Sequence, residues 1–94
     1  MTDPSQASGA VTVRYWAAAR AAAGVSTDDV PVSGPTTLAA VLDEVRALHP
    51  GRFADVLEVC SVLVGDRPVG TTEPADVSVE PGATVELLPP FAGG

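Results

Sequence analysis

One amphipathic segment in the middle of the chain, with strand-like segments on both sides of it, most constrains what this sequence can fold into. Five apolar residues recur there at helical spacing and therefore share one face: Leu38, Val41, Leu42, Val45 and Leu48. Thr36 and Thr37 offer N-caps, and His49-Pro50-Gly51 ends the segment. A helix of this kind buries its apolar face against a sheet, which predicts a two-layer α+β domain.

The segments before that helix predict two strands and a short helix. Alternation from Val11 to Trp16 indicates a half-buried strand. One of its faces carries Val11, Val13 and Tyr15, and the other carries Thr12, Arg14 and Trp16. The alanine-rich stretch Ala17 to Ala23 predicts a short helix that ends at Gly24. Ser26 to Val32 predicts a weaker strand, which we expect Pro31 to break.

The segments after the helix complete the pattern. They first predict a helical turn around Phe53, Val56 and Leu57. A strand at Ser61–Val64, closed by the turn Gly65-Asp66, and a return strand from Val69 follow it. The last predicted elements are a short strand or bridge at Val77–Val79 and a final strand at Val85–Leu88. The long connection through the helix allows the first and last strands to lie parallel in the sheet centre. This is the ubiquitin-like β-grasp plan, one mixed sheet packed on one main helix. We expect a disordered leader at 1–10, the folded domain at 11–90 and a flexible, reactive tail at 91–94.

Charge and composition exclude several classes of partner. The chain has 94 residues and a formal net charge of -7, so nucleic acid and anionic membrane surfaces would repel it. It has no secretory signal pattern and no apolar run near the ~18 residues that span a membrane, so we expect a cytoplasmic protein. Cys60 is the only cysteine, which excludes an intramolecular disulfide.

The residues also argue against an enzyme that works alone. His49 is the only histidine, and its place at a helix end already explains it, because a cation there meets the helix dipole favourably. Cys60 precedes an apolar strand and is interpreted as a small core residue. We expect neither a metal site nor a bound cofactor, and we interpret Asp28-Asp29 and Asp43-Glu44 as solvated surface charge.

The six residues Pro89-Pro90-Phe91-Ala92-Gly93-Gly94 follow the last predicted strand. The two prolines favour extended backbone, and the two glycines lack a Cβ, so the segment is a slim arm. From Phe91 to Gly94 it reaches roughly 13 Å when extended. Such an arm suits delivery of the Gly94 carboxylate into the active site of another protein. The alternative is a frayed chain end, where glycine is tolerated without a function.

Three segments resemble one family, the MoaD-type sulfur carriers that form the small subunit of molybdopterin synthase. They are Val11–Gly24, Glu80–Val85 and Leu88–Gly94. The diglycine alone is also found in ubiquitin and in sulfur carriers of the thiamin and cysteine pathways. The Pro-Pro pair before it is the more specific mark of the molybdopterin branch.

The resemblance implies a function for the tail. A ubiquitin-activating-type adenylyltransferase would use ATP to adenylate the Gly94 carboxylate, which sulfur then converts to a thiocarboxylate. The large subunit of molybdopterin synthase would receive this tail through a channel that admits Gly93, and sulfur would pass to the pterin precursor of the molybdenum cofactor. The resemblance also implies a heterotetramer of two small and two large subunits, with the small subunit non-catalytic.

Strand parity predicts where such a partner docks. Trp16 lies on the face opposite the core in the first strand, and Leu88 lies on that face in the last strand. If the strands are neighbours, the two side chains form an apolar patch near the tail, with Phe91 extending it. We expect the connecting residues Pro89, Pro90 and Ala92 to contact the partner as well.

Two alternative functions remain open: a sulfur carrier for thiazole or cysteine synthesis, and a β-grasp interaction module whose tail is never activated.

Overall fold

The computed structural model describes residues 9–90 of the chain. The strands are β1 (Gly9–Tyr15), β2 (Thr27–Val32), β3 (Thr36–Thr37), β4 (Ser61–Val64), β5 (Arg67–Pro68), β6 (Ser78–Val79) and β7 (Thr84–Leu88). The helices are α1 (Ala17–Ala23), α2 (Leu38–Leu48) and α3 (Arg52–Glu58), with a 3₁₀ turn at Pro74–Asp76. The return strand begins at Arg67 rather than at Val69, because the tight turn at Gly65-Asp66 reverses the chain within two residues.

The sheet confirms the β-grasp plan. Five strands lie in the order β2-β1-β7-β4-β5, with β1 and β7 parallel at the centre and the remaining pairs antiparallel. A second ladder of two short strands, β3 and β6, lies beside α2 and adds to the single sheet that the pattern predicted. Gly9 and Ala10, assigned above to a leader, pair with Val32 and Pro31 and belong to β1.

Pro31 does not break the second strand, so that expectation was wrong. It lies within β2 and pairs with Ala10 of β1. Among the described strands, β2 is the edge of the sheet and has a neighbour on one side only. Proline is tolerated in such a strand because an edge leaves half of the backbone donors without a partner strand.

The core lies between the sheet and the helices. Val11, Val13 and Tyr15 are buried, as the alternation predicted, and so are Val85 and Leu87 of β7. The buried residues of α2 are Leu38, Val41, Leu42 and Val45. Thr37 caps this helix through its side-chain oxygen, which accepts a hydrogen bond from the Ala40 amide at 3.2 Å.

Leu48 was expected on the buried face of α2, and it is instead 53% exposed. At 100° per residue the stripe that includes Val45 continues four residues on, at His49, and not at Leu48. The imidazole of His49 therefore takes the core-facing position. Its ring centre lies 5.6 Å from that of Tyr15 and 5.4 Å from that of Phe53.

The position of His49 at a helix end is not its whole explanation, because its imidazole also contacts Asp28. Asp28 is therefore not the solvated surface charge that was expected. His49 Nε2 lies 2.5 Å from Asp28 Oδ2, and that same oxygen accepts a 2.8 Å hydrogen bond from the Tyr15 hydroxyl. Asp28 pairs with Val13, so strand parity turns it toward the helices. Burial and the bond to Asp28 raise the pKa of Tyr15. Asp29, Asp43 and Glu44 are exposed as expected.

Candidate functional site

The candidate site lies where β7 ends, because that strand leads into Pro89–Gly94, which we call the diglycine segment. β7 is hydrogen-bonded on both sides, with Leu87 opposite Tyr15 of β1 and Leu88 opposite Ser61 of β4. Pro89 is half-buried and Pro90 is exposed. Phe91, Ala92, Gly93 and Gly94 lie outside the described residues, so the roles assigned to them stay predictions.

Trp16 lies at the same end of the sheet, in the turn that joins β1 to α1. Its amide donates to the Leu87 carbonyl at 3.2 Å, and its carbonyl accepts from the Ala19 amide at 2.9 Å. The next residue, Ala17, has a φ of 50°, in the left-handed region that non-glycine residues rarely adopt. The backbone of Trp16 is thus held by β7 on one side and by the first turn of α1 on the other.

The indole of Trp16 is held by two charged side chains. Its Nε1 donates to Glu86 Oε1 at 2.9 Å, and the guanidinium carbon of Arg14 lies 5.0 Å from the ring centre. Arg14 and Glu86 are opposite each other in the parallel pair of β1 and β7, so both project from the outer face of the sheet. The indole nevertheless remains 40% exposed.

Leu88 and Leu63 complete this part of the outer face. Leu88 is half-buried and has the same parity as Glu86 in β7. Leu63 of β4 is half-buried and lies opposite Glu86. We call these five residues the outer patch: Arg14, Trp16, Leu63, Glu86 and Leu88. The structure thus brings Trp16 and Leu88 to one face at one end of the sheet, and their contact with a partner stays a prediction.

Sequence reasoning missed Arg14, Leu63 and Glu86 as parts of this site. A partial signal was present, because parity alone puts Arg14 with Trp16 and Glu86 with Leu88. Periodicity does not encode which strands are neighbours or in what register. The hydrogen bond from Trp16 to Glu86 depends on both.

The surroundings of Cys60 do not favour reaction of its thiol. Its thiol is half-buried and donates to the Val56 carbonyl at 3.3 Å. Burial raises the pKa of Cys60 to about 11, so little thiolate forms near neutral pH. Over residues 9–90 there is no group of His, Cys, Asp or Glu side chains arranged to hold a metal ion. Within the same range, no helix has the length and apolar character needed to cross a membrane.

Comparison with known proteins agrees with this architecture. The chain is 30% identical over 82 residues to a protein of Aspergillus niger named molybdopterin synthase sulfur carrier subunit, covering 87% of this chain and 91% of that protein. It is 28% identical to the protein of the same name from Emericella nidulans, covering 87% of this chain and 94% of the relative. The crystal structure of SAMP1 from Haloferax volcanii has the same fold, with a TM-score of 0.77 at 24% identity, over 92% of this chain and all of that one.

The profile of one protein family spans most of the chain. It matches residues 13–94, which include the last three residues of β1, the whole remainder of the sheet and the diglycine segment. The match therefore takes in both the outer patch and the segment that follows it. By this match and by the identity to the Aspergillus niger protein, the chain belongs to the ThiS family.

Proposed function

We propose that this chain is a sulfur carrier and the small subunit of a molybdopterin synthase. The observation that carries the proposal is the extended similarity to two proteins named as sulfur carrier subunits of that enzyme. The family match runs to Gly94, so it includes the group on which this chemistry would take place.

The proposed chemistry takes place at the Gly94 carboxylate. A carboxylate is a poor electrophile, and an ATP-dependent adenylyltransferase of the ubiquitin-activating type would convert it to an acyl adenylate. Adenylation releases pyrophosphate. A nucleophile that carries sulfur at the oxidation level of sulfide then attacks the acyl carbon, AMP leaves, and a thiocarboxylate remains on Gly94. Gly93 passes the narrow channel of the large subunit, where a side chain at that position would clash. ATP binds to the activating partner, and this chain holds no cofactor itself.

The division of labour follows from charge. With a net charge of -7, this chain is poorly suited to hold an anionic pterin precursor, which therefore binds to the large subunit. The large subunit docks on the outer patch and along Pro89, Pro90, Phe91 and Ala92, so that the diglycine enters its active site. We further propose a cytoplasmic complex of two small and two large subunits.

The proposal is tested on protein purified from its native cell. Intact-mass analysis detects a species heavier than the unmodified chain by the difference between one sulfur and one oxygen atom. Co-purification identifies the acceptor, which we expect to be a molybdopterin synthase large subunit. A thiazole-forming or cysteine-forming partner instead identifies one of the other carrier pathways. A chain that is never thiolated in cells making the cofactor is a plain interaction module.

A further inference from the structure

We propose that Glu86 is a positioning residue that, together with Arg14, holds Trp16 in one orientation for contact with an apolar pocket of a partner protein. The inference rests on the proposed function for the identity of that partner. It adds a role for Glu86, a charged residue at the centre of the sheet whose side chain otherwise has no part in the core.

The first step is the contact itself. Glu86 Oε1 lies 2.9 Å from the indole nitrogen, which is the distance of a well-formed hydrogen bond to a charged acceptor. The Arg14 guanidinium lies 5.0 Å from the ring centre, within the range of a cation–π interaction. The N–H edge of the indole is therefore bound by Glu86, and one face of its ring is contacted by Arg14. An exposed indole with neither contact would sample several rotamers.

The second step is the consequence for binding. A side chain that is already ordered loses little conformational entropy when a partner covers it. The backbone of Trp16 is ordered as well, by its hydrogen bonds to Leu87 and from Ala19. Trp16 is thus ordered at both backbone and side chain before any partner arrives, as an interface anchor should be.

The third step is the chemistry of the partner. The surface around Trp16 is apolar at Leu88 and Leu63, and its two charges, Arg14 and Glu86, face each other across the central strand pair. The two charges are of opposite sign, so this part of the surface carries no net charge. The partner therefore needs an apolar pocket for the indole and no charge of its own at that point.

The test uses the only tryptophan in the chain as its probe. We would compare the full-length wild type with Glu86→Ala, which removes the acceptor, and with Glu86→Gln, which keeps an acceptor oxygen without the charge. Glu80→Ala is the matched control, because this exposed residue lies in the turn before β7, at the opposite end of that strand. Acrylamide quenching and the decay of fluorescence anisotropy report the mobility of Trp16 without any partner. We expect Glu86→Ala to raise the quenching constant about twofold, Glu86→Gln to raise it by less, and Glu80→Ala to resemble the wild type.

The second arm measures affinity for the molybdopterin synthase large subunit of the same organism by titration calorimetry. We expect Glu86→Ala to weaken binding about tenfold and Glu86→Gln by less than about threefold, with Glu80→Ala unchanged. Thermal melts of all variants show whether the fold is kept.

Three results would overturn the assignment. The first is unchanged mobility of Trp16 in Glu86→Ala. The second is wild-type affinity for the large subunit in a variant whose Trp16 has become more mobile. The third is an equal loss of affinity in Glu86→Ala and Glu86→Gln, which would assign the effect to charge. If the wild type itself fails to bind the large subunit, the proposed function falls, and with it the partner assigned to Trp16. The mobility measurements still decide separately whether Glu86 holds the indole.

Discussion

At the scale of single residues, the structure concentrates its unusual features around β1. Ala17 is the one non-glycine residue with positive φ in the described range, and it directly follows Trp16. The left-handed region brings Cβ close to the backbone carbonyl, which makes this conformation costly for alanine. The strain is confined to the residue that turns the chain from β1 into α1.

Ala17→Gly should therefore stabilise the protein, although the residue belongs to a helix. Removing Cβ relieves the strain, and because Ala17 is exposed no packing is lost. We expect the free energy of unfolding to rise by about 0.5–1 kcal/mol in urea denaturation. Ala21→Gly makes the same change at an exposed position inside α1 and should lower it by about 1 kcal/mol. Equal signs for the two variants would contradict the role of strain.

A second residue-scale prediction concerns Asp28. Its side chain accepts a hydrogen bond from the Tyr15 hydroxyl and contacts His49. Its neighbour Asp29 is exposed and accepts a 3.0 Å hydrogen bond from the Thr12 hydroxyl. Asp28→Ala leaves partly buried polar groups without a partner, and we expect it to cost about 1–3 kcal/mol. Asp29→Ala removes the same charge and should cost less than about 0.5 kcal/mol. Chemical denaturation of both variants would show whether the two carboxylates differ in this way.

At the scale of elements, α2 shows how a helix phase selects its core residues. The buried stripe passes through Leu38, Val41, Leu42 and Val45 and reaches His49. Leu48 is turned to solvent by the same geometry. Hydrophobicity alone therefore does not assign a leucine at a helix end to the core. Its angular position around the helix axis must also agree with the buried stripe.

Leu42→Ala and Leu48→Ala form a matched pair on this helix. Leu42 is 6% exposed and Leu48 is 53% exposed. Truncation of Leu42 should cost about 2–5 kcal/mol through lost burial and a cavity. Truncation of Leu48 should change stability by less than about 0.5 kcal/mol. Thermal melts that rank the two in the reverse order would mean that the phase of α2 is misassigned.

At the scale of the whole molecule, the parallel pairing of β1 and β7 sets the layout of the proposed site. It brings the end of the first strand next to the end of the last described strand, with Tyr15 opposite Leu87. The outer patch and the start of the diglycine segment thus share one end of the sheet. We therefore expect a partner that contacts the patch to lie beside Pro89 and Pro90, where the tail begins.

Two outer-patch truncations test this layout. We expect Trp16→Ala and Leu88→Ala each to weaken binding of the large subunit by roughly 2 kcal/mol, because an ordered aromatic anchor and its apolar neighbour lose their contacts. Stability should change less than in Leu42→Ala. Leu48→Ala is the control, since this side chain is 53% exposed and belongs to α2, which packs on the opposite face of the sheet. Unfolding of Trp16→Ala together with wild-type affinity of Leu88→Ala would place the interface elsewhere.

A second whole-molecule prediction separates docking from chemistry. One alanine added after Gly94 displaces the reacting carboxylate, and displacement by about 1 Å can already cost 10²-fold in a positioned reaction. We expect the extended protein to bind the large subunit normally and to transfer no sulfur in a reconstituted synthase assay. Full transfer by an extended chain that mass spectrometry shows to be intact would exclude the Gly94 mechanism.

The sequence by itself determined the type of nearly every element. The alternation of Val11, Val13 and Tyr15, the stripe of α2 and the cap at Thr37 are local, because each depends on neighbours within a turn or a strand. The presence of one main helix between strands was enough to predict a β-grasp fold. These features appear in the structure where the pattern put them, except that Leu48 at the end of the α2 stripe is exposed.

Only the tertiary structure decided how distant residues meet. Asp28, Tyr15 and His49 come from three elements, and Glu86 reaches Trp16 across 70 positions of the chain. Such contacts depend on strand order and register, which the side-chain period of two leaves open. Pro31 was misread for the same reason, because only the order of strands shows that β2 is an edge. Local periodicity specifies which face a residue lies on, and the pairing of strands decides what that face contacts.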